Sequence, residues 1–293
     1  MNFMVTIIEQ GLIYGILALG AYITYKVLDF PDLTVDGSFP LGAAVTAALI
    51  TRGMNPYLTL LVSFTSGALA GVCTGLIHVK GKVRDLLSGI IMMTALWSVN
   101  LYIAGTSNVP LFSQKTIFKN ELMDGMVPKS LRPYSTLILI LVLVLICKVL
   151  LDLYLKTKSG YLLRAVGDNE ALVTALAKDQ GNVKILGLSL ANGLVAMAGS
   201  IFAQEERVFE ISMGTGAIVI GLASVIIGTS LFRKLTVFKA TTAVLIGSII
   251  YKACVAIALK NFEPNAMKLI TAVLFLIILI FSMERKGGAK KHA

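Results

Sequence analysis

The chain has 293 residues, of which 56% are hydrophobic and only 14% charged, and its mean hydropathy is +0.84. A soluble domain of this length cannot bury so much apolar side chain, so the composition excludes a water-soluble protein and indicates a chain that crosses a bilayer many times. The net charge of +10 does not indicate a nucleic-acid partner, because the basic residues gather at alternate loops.

Apolar runs long enough to span, roughly 20 residues each, predict membrane helices over 3–25, 56–77, 86–105, 134–155, 185–203, 214–232, 240–259 and 266–283. The run 38–51 is shorter and ambiguous. The first segment is too long for the apolar core of a signal peptide, and it has neither a basic leader nor a small-x-small cleavage site, so it reads as a mature helix. An all-α membrane domain of eight to ten transmembrane helices follows, occupying 1–293 as one unit. Cys73, Cys147 and Cys254 all fall inside apolar runs, where three separated thiols argue against a disulfide framework and against a metal site.

One set of basic residues comprises Lys80, Lys82 and Arg84, then Lys156, Lys158, Arg164, Lys178 and Lys184, then Arg233, Lys234 and Lys239, and finally Arg285, Lys286, Lys290 and Lys291. The positive-inside rule places these loops in the cytoplasm, together with the tail 284–293. The loop 106–133, polar and carrying Pro110, Pro128 and Pro133, is then extracellular. The stretch "KVLDFPDLTVDGSFPLGAAVTAALIT" admits two topologies. Either 38–51 crosses as a short or broken helix and the N-terminus is outside, or it re-enters and the N-terminus is inside. Irregular backbone at membrane depth must be covered by protein or line a cavity, so this stretch belongs to the interior in both cases.

Gly67, Gly71 and Gly75, like Gly11 and Gly15, fall on single helix faces and allow close backbone approach, either within a subunit or at a dimer seam. Enzymatic chemistry has little to draw on. The two histidines, His78 and His292, stand at a helix end and in the tail, and no Gly-Lys-Ser/Thr phosphate loop is present, so the chain has no apparatus of its own for hydrolysing ATP. Polar groups inside spans are candidates for a translocation path: Asp36, Trp97 with Asn100, Asn192 and Lys252. The asparagines can equally join helix to helix, and Lys252 can snorkel to an interface. Lys148 and Asp152, one turn apart, read as a local ion pair.

The segment 160–184, "GYLLRAVGDNEALVTALAKDQGNVK", is the long polar cytoplasmic insertion. Residues 168–181 predict a short helix with Asp168 as N-cap, Glu170 in the first turn, Lys178 in the last and Gly181 at C′. Its stripe Leu172, Val173 and Leu176 is too narrow to hold the helix in lipid and suits a groove on a partner protein, although an inner-leaflet helix has the same pattern.

Four blocks in order, "VLDFPDLTVDGSFPLGAAV", "VRDLLSGIIMMTALWSVNLYIAG", "GYLLRAVGDNE" and "MGTGAIVIGLASVIIG", resemble permease subunits of ABC importers of the branched-chain amino acid and ribose type, and more closely the tryptophan/tyrosine-type branch. The resemblance implies a type II-like importer permease, with a coupling helix docking on an ABC ATP-binding subunit through Gly167, Asp168, Asn169, Glu170, Ala171, Ala175 and Gly181. It also implies ATP and Mg held on that partner, a second permease copy, and an extracellular solute-binding (lipo)protein that delivers a small solute. This chain itself would bind no cofactor. It departs from the family in its late glycine, Gly181, and in Thr229, where relatives carry an acid. Glu205, Glu206 and Arg207 are the outer charges within reach of a delivering protein. An ion-coupled secondary transporter is the rival reading, with Asp29, Asp32, Asp36 or Lys252 carrying coupling ions.

Overall fold

The computed structural model describes residues 3–120, 132–169, 180–232, 239–261 and 267–290. Its helices are α1 (Phe3–Ala21), α2 (Val35–Thr51), α3 (Pro56–Val79), α4 (Asp85–Ala104), α5 (Ser135–Tyr154), α6 (Lys158–Asp168), α7 (Gln180–Glu206), α8 (Ala217–Leu231), α9 (Ala240–Asn261) and α10 (Met267–Lys290). Among the described residues seven stretches are long and apolar enough to span, while Val35–Thr51 and Leu269–Ile280 are apolar but shorter. All eight predicted runs are helical. The ambiguous run is helical too, from Val35 onwards, and α10 carries helix through most of the tail.

Contacts near the helix ends sort the molecule into two faces. On one, Gln10 of α1 donates to Glu206 of α7 at 3.0 Å, and Gln204 reaches Thr59 near the start of α3 at 3.2 Å. The same face carries a two-stranded ribbon, β1 (Asn108–Pro110) antiparallel to β2 (Val208–Glu210). On the other, Lys184 lies 3.5 Å from His78, and Asp152 at the end of α5 meets Lys239 and Thr241 at the start of α9. The start of α1 therefore sits on the ribbon face, opposite the basic loops. Helices α1, α2 and α3 run in the opposite sense to α7, α8 and α9, and each set has a long helix, an interrupted stretch, a shorter helix and another long helix. This antiparallel correspondence is a matter of backbone path, and no sequence periodicity announces it.

The glycine stripes act within the subunit. A Cβ on Gly71 would overlap the carbonyl oxygen of Leu188, and one on Gly67 the carbonyl of Asn192, so α3 lies almost backbone to backbone on α7. Gly11 and Gly15 press against Ile249 and Leu245 of α9 in the same way. In lipid there is little hydrophobic drive between helices, so close van der Waals contact and interhelical hydrogen bonds hold them together. Leu, Ile and Val on α4 and α5 instead face outward, including Ile90, Ile91, Leu145 and Leu150. This is the pattern expected of helices at a lipid or subunit boundary.

Gly71→Ala forces the Leu188 backbone away and should destabilise the permease by about 1–3 kcal/mol, the cost typical of overpacking. A thermal-unfolding comparison in detergent should show a lowered midpoint for this variant. Ser66→Ala, on the exposed side of α3 with a bond only to its own helix, should leave the midpoint in place.

A candidate translocation site at the helix breaks

The helix α1 does not end cleanly. Tyr22–Val27 winds as a π-turn, Leu28 and Phe30 donate to the carbonyls of Ile23 and Thr24, and Asp29 takes a left-handed conformation at φ 52°. Pro31 then prevents the helix from resuming, and the chain runs irregularly until α2 starts. Because backbone groups in a bilayer have no water to bond, this stretch survives only if protein covers it. It is packed from several sides. Gly167 of α6 lies against the Val27 carbonyl, Gly89 of α4 against the Leu33 amide, and Phe30 meets the His78 ring edge-on at 5.0 Å.

Two aspartates fix the break. Asp32, fully enclosed, accepts from the Thr34 amide at 2.9 Å and from Asn192 Nδ2 at 2.7 Å. Asn192 is used to capacity: Nδ2 also donates to Leu188 O at 3.0 Å, and Oδ1 accepts from Ser38 Oγ at 2.7 Å. Beside it the hydroxyls of Thr34 and Thr74 bond at 2.9 Å. Asp36, in the first turn of α2, reaches across to the start of α8 and accepts from the amides of Gly216 and Ile218 at 3.0 and 2.8 Å. A carboxylate is favourable there because the first amides of a helix lack partners and carry the positive end of its dipole. Pro40 has no amide hydrogen, so the Asp36 carbonyl loses its helical donor, and Gly214 closes directly onto both. Two short helices thus begin deep in the protein with their N-termini together, one leaving toward each face.

The candidate path residues therefore separate. Asp36 and Asn192 belong to this junction, and Asn100 joins it by donating to the Gly37 carbonyl at 3.1 Å. Trp97 is elsewhere, 47% exposed on the outer side of α4, because the face of that helix that packs inward is the narrow line Ser88, Gly89, Leu96 and Asn100. Lys252 does not snorkel. It is buried, with its ammonium 3.8 Å from the centre of the Tyr14 ring. Asp32 was seen in the sequence only as an ion-coupling alternative, and the Thr34, Ser38 and Thr74 partners were missed, since hydroxyls in small-residue helices give no periodic signal. Asp29 is exposed, and both oxygens of Asp36 are held by amides, so the coupling-ion reading finds no shared cage.

On the basic face the Lys148–Asp152 pair forms at 3.2 Å and is widened by Lys239 at 3.1 Å. The end signals expected for a helix over 168–181 serve other helices: Asp168 closes α6 and Asn169 leaves it in extended backbone, so Asp168 is no N-cap, and Gly181 lies in the first turn of α7 and not at a C′ position. Helix α6 is capped by Thr157, whose hydroxyl accepts from the Gly160 amide at 3.2 Å. Glu170, Ala171, Leu172, Val173, Ala175 and Leu176 lie outside the described residues.

Residues 3–282 match the family model of the branched-chain amino acid transport system permease component. The chain belongs to this family. It is a multi-pass permease of an ABC-type transport system. Over 280 residues it is 44% identical to a tyrosine transport system permease protein of Clostridioides difficile, covering 95% of this chain and 91% of that one. It is 28% identical to a probable branched-chain amino acid transport permease protein of Methanocaldococcus jannaschii, over 73% of this chain and 70% of the other. A ribose import permease protein of Escherichia coli is 25% identical over 78% of this chain and 69% of its own. No solved structure matches the chain.

Replacing Asn192 by Leu keeps the branched side-chain shape but removes the donor to Asp32 Oδ2 and the acceptor of Ser38. The expected loss is about 2–3 kcal/mol or more, since a buried charged acceptor loses its donor. Asp36→Ala leaves the amides of Gly216 and Ile218 without their acceptor and should cost about 2–3 kcal/mol as well. Chemical denaturation in parallel should show both variants less stable than the wild type.

Proposed function

We propose that this permease is the membrane-spanning subunit of an ATP-driven importer for an amino acid, working as two copies with a pair of ABC ATP-binding subunits and an extracellular solute-binding lipoprotein. The observation that carries this reading is the nearly end-to-end likeness, at 44% identity, to a permease described as transporting tyrosine. The chemistry of the chain is consistent with it: the sequence shows no nucleotide loop, and the polar side chains at the helix breaks, Thr34, Ser38, Thr74 and Asn192, are short and hydrogen-bonded to one another. ATP and Mg would be held by the partner, which would dock on the segment 160–184.

Under this reading the basic loops, the tail and α6 face the cytoplasm, and the ribbon, Glu206 and the start of α1 face outward. Closure of the ATP-binding subunits would draw the two docking segments together. Gly167 touches the Val27 carbonyl directly, so movement of α6 is delivered to the interrupted stretch that carries Asp32 and Asp36. A packed junction of this kind switches between arrangements and does not bend gradually.

Proteoliposomes holding the permease, its ATP-binding subunit and the binding protein loaded with L-tyrosine should accumulate the amino acid only when ATP is supplied. Uptake driven by an ion gradient with the permease alone would contradict the proposal. Exchanging Leu172 and Leu176 for Asp removes two apolar contacts of roughly 1.5–3 kcal/mol each, and the ATP-binding subunit should no longer co-purify.

A further inference from the structure

Where α1, α7 and α9 meet, on the ribbon face, the molecule buries more carboxylate than it neutralises. Glu9 is fully buried, and neither of its carboxylate oxygens has a hydrogen-bond partner. Glu205 Oε2 is likewise buried and unpaired, and the 3.0 Å bond between the neighbouring residues Gln10 and Glu206 brings Glu9 of α1 and Glu205 of α7 to the same level. Glu206 stands exposed at the rim and accepts from Gln10. Among the described residues, the buried cation of α9, Lys252, lies over the face of the Tyr14 ring. An ionised carboxylate is tolerated in such a place only with donors or a positive charge close by.

We propose that this cluster is a binding site for a primary ammonium group. The three unpaired oxygens, two on Glu9 and one on Glu205, correspond to the three N–H donors of an ammonium. A metal ion is the poorer occupant. Its bonds to oxygen are short, roughly 2.0–2.6 Å, and among the described residues no three acidic, histidine or cysteine side chains are close enough to hold one. Ammonium hydrogen bonds are longer, roughly 2.7–3.2 Å, and suit a wider arrangement. The Tyr14 ring shows that an aromatic face here already carries an ammonium.

The site rests on the amino-acid reading above and sharpens it: it recognises the α-ammonium of the solute, at the outer mouth. It is no part of the passage itself, because one turn further in Gly11 and Gly15 seal α1 against Ile249 and Leu245. Entry is from the side of Glu206.

The test is thermal unfolding of the complete permease–ATP-binding complex in nanodiscs, titrated separately with methylammonium, L-tyrosine and N-acetyl-L-tyrosine. The complex should be stabilised by an ammonium-bearing probe and not by N-acetyl-L-tyrosine. For both Glu9→Gln and Glu205→Gln, each nearly isosteric, the half-effective concentration should rise at least tenfold. Response to L-tyrosine assigns the ammonium to the solute, and response to methylammonium alone assigns it to free amines. The site is overturned if neither ammonium probe stabilises the wild type, if N-acetyl-L-tyrosine acts as well as L-tyrosine, or if both variants titrate like the wild type. Uptake assays separate this outcome from the importer reading. A complex that binds ammonium through Glu9 yet shows no ATP-driven uptake contradicts only that reading, and one that imports while both variants titrate normally contradicts only the site.

Discussion

A bilayer gives a backbone amide no water to bond, and that constraint decides how this chain can be interrupted. Between α1 and α2 the backbone is irregular at membrane depth, and after the ribbon α8 begins there, so each of these ends must find its hydrogen bonds in the protein. One carboxylate answers for both. Asp36 belongs to the first helix after one break and caps the first helix after the other. Asp32 and Asn192 then tie the same junction to α7. Most of the architecture follows: α7 must pass close to α2 and α3, and glycine and alanine must line that approach, as Gly42, Gly67, Gly71 and Gly199 do.

The resulting molecule has a rigid centre and compliant edges. The centre is backbone on backbone, with polar atoms satisfied by short side chains that have few rotamers to lose. The edges, α4 and α5, present broad apolar faces with Trp97 and Tyr102 among them. Gly167 of α6 lies against the Val27 carbonyl and so joins the basic face to the π-wound end of α1. An importer worked from that face, as proposed above, would reach the aspartates of the break through this contact.

Much of this was legible in the sequence. Length and apolarity located the spans, the glycine spacing marked helix faces that pack closely, and the aspartates and prolines of residues 29–40 marked irregular backbone that had to be interior. What could not be read were the partners. Gly67 announces a close approach but not that Asn192 makes it, and Asp36 looks like a path residue until the start of α8 is seen beside it. End signals also misled at Asp168, because an acid followed by Asn and Glu resembles a helix start while the preceding residues 158–167 already form a helix capped by Thr157. The choice between a buried and a snorkelling Lys252 could not be read either, because its resting place is an aromatic ring from a helix more than two hundred positions away.

Hydrogen–deuterium exchange of the complex in nanodiscs tests the central claim most directly, that the amides held by Asp32 and Asp36 at the helix breaks are locked. The account predicts exchange at Thr34, Gly216 and Ile218 as slow as in the middle of α7. Exchange there within seconds, at the pace of open loops, would contradict it.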